Sequence, residues 1–123
     1  MNVLETNVLV LAYLGDAIYE NYVREYLINK GINNVNKLQT EAINYVSATA
    51  QAKYLTQMLE QNFLTEEEID VAKRARNYKT TSHPKHCDII TYKYATGLEA
   101  LIGYLDLSNS KERINEIMNF ILI

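Results

Sequence analysis

Proline is almost missing from this chain: Pro84 is the only one, and just four glycines accompany it. An all-β fold turns its strands on such residues, so their scarcity argues against one. The single cysteine, Cys87, cannot form an internal disulfide, which points to a reducing, cytosolic setting. The longest apolar run, Val8 to Leu14, falls well short of the roughly 18 residues a membrane span needs. Glu5 and the lack of an early Lys or Arg set the N-terminus apart from a secretory leader. What is present suits one small soluble domain over residues 1–123, with 48% hydrophobic and 22% charged residues. A chain of this size can bury roughly two-thirds of its unfolded surface, so it needs no disulfide or metal to fold.

The net charge of −3 argues, as a total, against a nucleic-acid partner. Its distribution argues the other way. Lys73, Arg74, Arg76, Lys79, Lys85 and Lys93 lie between Val71 and Thr96 against one acid, Asp88. That is half of the chain's 12 cations in about a fifth of its length. A phosphate backbone responds to local potential within roughly 10 Å at ordinary salt, so this segment reads as a phosphate-contacting strip. The plainer reading is a solvated helix face followed by a loop.

Helical spacing dominates the pattern, and no segment alternates with period two. A first helix is expected from about Asn7 to Asn29, capped by Thr6 and closed by a left-handed Gly31. A second runs from Val35 to about Tyr45 behind Asn33 or Asn34, and a third from about Thr49 to Gln61. Between them, Val46 to Ala48 is either a kink or a break. Thr65-Glu66-Glu67-Glu68 has capping-box spacing and starts a short fourth helix through Arg76. Asn77 to Cys87 reads as a polar loop. Asp88 caps a helix from Ile89 to about Leu105, with Ile90, Tyr94, Leu98, Leu101, Ile102 and Leu105 on its apolar face. Ser108 or Ser110 caps a last helix carrying Ile114, Ile117, Met118 and Ile121. The expected fold is all-α, with about six helices.

Two carboxylates stand out within this pattern. Asp16 sits in the most apolar stretch of the chain, beside Gly15. Asp is a poor mid-helix residue, Gly costs a helix about 1 kcal/mol against Ala, and an unpaired buried carboxylate costs more. Glu99 repeats the arrangement between Gly97 and Gly103. If the two glycine-bearing helices cross, Asp16 and Glu99 meet. Two close carboxylates repel unless they share a proton or a cation, and their oxygens suit a hard divalent ion such as Mg²⁺. With the basic strip nearby in sequence, metal-assisted phosphodiester hydrolysis is the chemistry indicated.

With these residues the chain resembles the ribonuclease III family, and within it the short subclass of mini-ribonuclease III proteins. The family's signature helix reads Glu-x-x-Glu-Phe-Leu-Gly-Asp-Ala-x-Leu-Glu; Leu14-Gly15-Asp16-Ala17 and Glu20 match it here. Its second segment, Asp-x-x-Glu-Ala-Leu-Ile-Gly-Ala-x-Tyr-Leu, is matched by Glu99-Ala100-Leu101-Ile102-Gly103. Two signature acids fall instead on Leu9 and Ala12, and the acid before Glu99 falls on Thr96.

The resemblance implies a homodimeric, Mg²⁺-dependent endoribonuclease of double-stranded RNA, with Mn²⁺ as a substitute ion and 5′-phosphate and 3′-hydroxyl products. For the short subclass it implies maturation of the ends of the large-subunit (23S) ribosomal RNA precursor in the cytoplasm, without a separate double-stranded RNA-binding domain. Asp16 and Glu99 are then the catalytic metal ligands, with Glu20 and Thr96 behind them. Tyr13 is the aromatic that inserts into the partner subunit, and Lys73, Arg74, Arg76, Lys79 and Lys85 hold the duplex. The replaced acids leave a second reading open, a catalytically silent dimer that binds double-stranded RNA.

Other signals weigh less. His83-Pro84-Lys85-His86-Cys87 crowds its ligands on one loop with no second pair elsewhere, which disfavours a zinc site. Of the ten tyrosines, Tyr22, Tyr26, Tyr54 and Tyr94 fall on apolar stripes and read as core or dimer packing, while Tyr78 and Tyr92 are the ones placed to stack on bases.

Overall fold

The computed structural model describes residues 2–79 and 87–123. A 3₁₀ turn (Val3–Glu5) leads into six helices: α1 (Val8–Asn29), α2 (Val35–Val46), α3 (Ala48–Glu60), α4 (Glu66–Arg76), α5 (Ile89–Leu107) and α6 (Lys111–Leu122). No strand occurs among the described residues. The start and stop signals lie largely in the local sequence. Asn34, Ser47, Thr65 and Asp88 each accept a backbone N–H from the first turn of the helix they precede. Thr65 and Glu68 complete the expected capping box. Two caps differ from expectation. Asn7 rather than Thr6 caps α1, its side chain accepting from Leu9 N, and Ser110 precedes α6 without a side-chain cap bond. Gly31 is left-handed past α1, and Asn62 and Asn109 take the same conformation past α3 and α5.

The chain breaks between α2 and α3 rather than kinking. Ser47 is extended (φ −62°, ψ 153°) and serves as the last cap of α2 and the first cap of α3. The break frees the final carbonyls of α2. Tyr19, fully buried in α1, donates its hydroxyl to Tyr45 O at 2.7 Å. Gln51, buried in α3, donates its amide to Val46 O at 3.3 Å.

Helix α5 is the axis of the fold. Every residue from Ala95 to Leu105 is buried except Glu99, and α1, α3, α4 and α6 all pack on it. A helix buried on nearly all sides has little amphipathic bias, and its near-continuous apolar run reflects that. Ile90, expected on the apolar face, lies in the first turn of α5, beyond the surrounding helices, and is exposed. Tyr22, Tyr26, Tyr54 and Tyr94 are partly buried against the core.

Packing is closest where α1 crosses α5. A Cβ on Gly15 would stand 1.7 Å from Glu99 O, and one on Gly103 would stand 2.0 Å from Leu11 O. The two backbones touch. Gly97 does not take part in this crossing; its open side faces Ala72 O of α4 and Leu55 Cδ2 of α3. Between α4 and α6, buried Glu68 receives Arg113 Nε and Nη2 at 2.8 and 2.9 Å, and Nη2 also reaches Phe63 O at 2.6 Å. Burial pushes the Glu68 carboxyl up, but these bonds and the capping box outweigh it and hold the group below the usual carboxylate range.

Because neither backbone can yield without separating the helices, Gly15→Ala and Gly103→Ala should each cost at least about 2–3 kcal/mol. Urea denaturation checks this. A midpoint like the parent's would show that the crossing tolerates a methyl group.

Candidate active site

The glycine crossing dictates the site. Asp16 follows Gly15 directly, and the Gly15 contact on α5 is the carbonyl of Glu99 itself. The two side chains therefore leave their helices at one place, where the carboxyl groups come within hydrogen-bonding reach of each other. Asp16 is exposed and Glu99 is half-buried. Burial first, and then the Asp16 carboxyl, push the Glu99 pKa up to about 9; Glu20 adds to the repulsion and Gln51 opposes it. At neutral pH, with no cation bound, Glu99 keeps its proton. That proton lies between two carboxyl groups within reach of each other.

Around this pair the expected residues divide. Glu20 lies one turn beyond Asp16 and is close enough to be felt at Glu99, while its carboxylate pairs with Arg24 at 3.3 Å. Thr96 is buried, and its hydroxyl donates to Tyr92 O at 2.9 Å within its own helix, so it is tied back rather than turned to the pair. Tyr19 is packed in the fully buried layer beside Glu99; burial, Tyr54 and Glu99 all raise its pKa, so it remains a protonated donor.

One neighbour of the pair is invisible in the sequence pattern. Gln51 is only 2% exposed, and its side chain reaches the Glu99 carboxyl, where it favours the charged form. Its Oε1 is buried without a hydrogen-bond partner. A Gln on a helix of mixed composition carries no pattern of its own. Only its position opposite Glu99, set by the α3–α5 packing, marks it.

No group of three or more metal-ligating His, Cys, Asp or Glu side chains forms among the described residues. The donor set is two carboxylates with an unpartnered amide oxygen beside them. A hard divalent cation suits this set, since it takes oxygen ligands, keeps much of its water, and would replace the shared proton. The waters it keeps are hydrogen-bond donors, which is what the Gln51 oxygen lacks.

The basic strip is less uniform than its sequence suggests. Lys73 and Lys79 are exposed. Arg74 donates to Leu4 O at 3.2 Å, and the Arg76 guanidinium lies 5.3 Å from the centre of the Tyr94 ring. Lys73 and Arg74 line an open hollow with Glu5, Asn7, Asp70 and Tyr78. Lys85 lies outside the described residues, as do His83 and His86 of the discounted zinc loop. Tyr13 is 84% exposed, and Leu9 and Val10 beside it on α1 are exposed too. The described helices include none long and apolar enough to cross a membrane.

The raised Glu99 pKa has a sign that can be checked. The folded state binds this proton more tightly than the unfolded chain, whose Glu titrates near 4.3, so metal-free stability falls as pH rises from about 4.3 to about 9. Glu99→Gln removes that burden. At pH 8 without divalent ions it should melt several degrees above the parent, and at pH 4 the gap should close. Equal melting curves at pH 8 would contradict the burial of a strained acid here.

Comparison with known proteins identifies the family. The family model for the ribonuclease III domain matches residues 9–110. A Mini-ribonuclease 3 of Enterococcus faecalis is 48% identical over 94% of this chain and 88% of its own length. One of Brevibacillus brevis is 53% identical over 92% and 83%. A crystal structure of a protein from Fusobacterium nucleatum superposes with a TM-score of 0.86 at 35% identity, covering 95% of this chain and 93% of that one. Asp16 and Glu99 both fall inside the matched span, and the chain belongs to the ribonuclease III family.

Proposed function

We propose that the protein is an endoribonuclease of double-stranded RNA of the mini-ribonuclease III kind, working as a Mg²⁺-dependent homodimer in the cytoplasm. The observation that carries this reading is the convergence of Asp16 and Glu99, from opposite ends of the sequence, at the glycine crossing. Asp16 and Glu99 would hold the ion, with Mn²⁺ as a substitute. Bound there, Mg²⁺ supplies Lewis acidity and a water of lowered pKa, the chemistry of phosphodiester hydrolysis to 5′-phosphate and 3′-hydroxyl ends.

The chain's own residues do the rest. Asp16 and Glu99 would each offer a carboxylate oxygen to the ion, the Glu99 proton passing to solvent. Glu20, paired with Arg24, keeps a further negative charge on the same stripe of α1. Lys73 and Lys79 offer exposed cations to phosphates, while Arg74 and Arg76 also brace α4. A-form duplexes are gripped through phosphates and 2′-hydroxyls, so selectivity by shape is expected over selectivity by base. The precursor of 23S ribosomal RNA is the substrate we assign from the resemblance to the short subclass. The exposed Leu9, Val10 and Tyr13 supply an apolar stripe for the partner subunit.

A long RNA duplex should be cut by the parent with Mg²⁺ and left intact in EDTA. Asp16→Asn and Glu99→Gln should each lower the rate by about 100-fold or more while leaving duplex binding in place, since even residues behind a metal's ligands cost 10–100-fold. Binding without cleavage in the parent itself would instead establish the catalytically silent dimer.

Lys73→Ala combined with Lys79→Ala should weaken duplex binding and make it less sensitive to salt. The slope of log affinity against log salt should shrink by up to about 0.7–0.9 for each phosphate the lysines no longer neutralise. An unchanged slope would remove these lysines from the interface.

A further inference from the structure

Gln51 has no place in the family signature, yet three observations single it out. It is 2% exposed, which is rare for a polar side chain. Its amide nitrogen holds Val46 O at 3.3 Å, a carbonyl left open by the break at Ser47. Its oxygen is buried with no partner at all, and an unmade bond of this kind costs about 1–3 kcal/mol. Such a cost calls for an explanation that packing does not provide, because Leu or Met would fill the same volume without it.

The register of α3 on α5 supplies one. Leu55 packs on Gly97 where α3 lies along α5, and one turn earlier on α3 the buried Gln51 side chain comes within reach of Glu99. One hydrogen of the amide nitrogen goes to Val46 O and fixes the amide plane against the end of α2. The Glu99 carboxyl lies beside the same side chain, where the second hydrogen would hold it. A carboxylate held in this way is aimed before any ion arrives, and less side-chain freedom has to be lost on binding.

We propose that Gln51 is a positioning residue for the divalent cation: its amide N–H orients Glu99, and its free oxygen accepts a hydrogen bond from water carried by the ion. This rests on the reading of Asp16 and Glu99 as the metal ligands. It extends the site from two helices to three and makes the α2–α3 break part of it.

Mn²⁺ binding to the RNA-free protein, followed by electron paramagnetic resonance or calorimetry, tests the proposal apart from cleavage. Gln51→Met keeps the volume and removes both polar atoms. It should raise the Mn²⁺ dissociation constant about 10-fold or more, with duplex binding in EDTA unchanged and the melting temperature no lower. In a Glu99→Gln background the same substitution should have no further effect on Mn²⁺ binding.

Unchanged Mn²⁺ affinity in Gln51→Met, alongside loss of binding in Asp16→Asn and Glu99→Gln, would overturn the role of Gln51 and leave the metal site standing. Unchanged binding in the two carboxylate variants would overturn the site itself, and the inference with it. The parent protein offers a check that does not depend on a variant folding. On addition of Mg²⁺ the two Gln51 side-chain N–H resonances should shift, and resonances that stay in place would likewise overturn the proposal.

Discussion

Backbone contact between α1 and α5 is the constraint on which the rest of the molecule depends. At Gly15 and Gly103 nothing separates the two main chains, and a single methyl at either position would collide with a carbonyl. Tight packing here gains dispersion contacts along the whole crossing. It also determines where the adjacent side chains emerge. Asp16 leaves one helix and Glu99 the other at the point of closest approach, so the carboxyl pair is a geometric result of the glycines. The same contact that stabilises the fold creates its most unfavourable electrostatic feature.

That feature is tolerated because the remainder of the core compensates for it. Ala95 to Leu105 is buried almost without interruption. Glu68 and Arg113 satisfy each other and the Phe63 carbonyl between α4 and α6. The contrast between the two buried acids is instructive. Glu68 has a guanidinium, a cap hydrogen bond and a lowered pKa. Glu99 has a second carboxyl and a raised one. The first is arranged for stability, and the second is the kind of strongly shifted group that marks a functional site.

Much of this was legible in the sequence, and the limits of legibility are physical. Helix ends could be read because caps and left-handed residues act locally, as at Thr65, Asp88 and Gly31. Asp16 and Glu99 could be read because an acid beside glycine in an apolar helix violates two preferences together. Gln51 could not, since its meaning lies in a contact between α3 and α5 that no local pattern encodes. The same limit hid the second role of the strip: that Arg74 braces the N-terminal turn and Arg76 lies over Tyr94 are tertiary facts. Gly97 looked like part of the crossing with α1 and instead admits α3 and α4, because helical spacing fixes its face but not the neighbour on that face.

The joint at Ser47 carries a mechanical consequence. Helix α2 has no buried residue and lies against α1 and α3 at the edge of the bundle. Its terminal carbonyls nevertheless receive Tyr19 from the α1 layer and Gln51 from the α3 layer. A tilt of this outermost rod about its one-residue hinge would draw on both tethers, and both lead inward to Glu99. A helix without a single buried residue is thus coupled, through two buried side chains, to the carboxyl with the raised pKa.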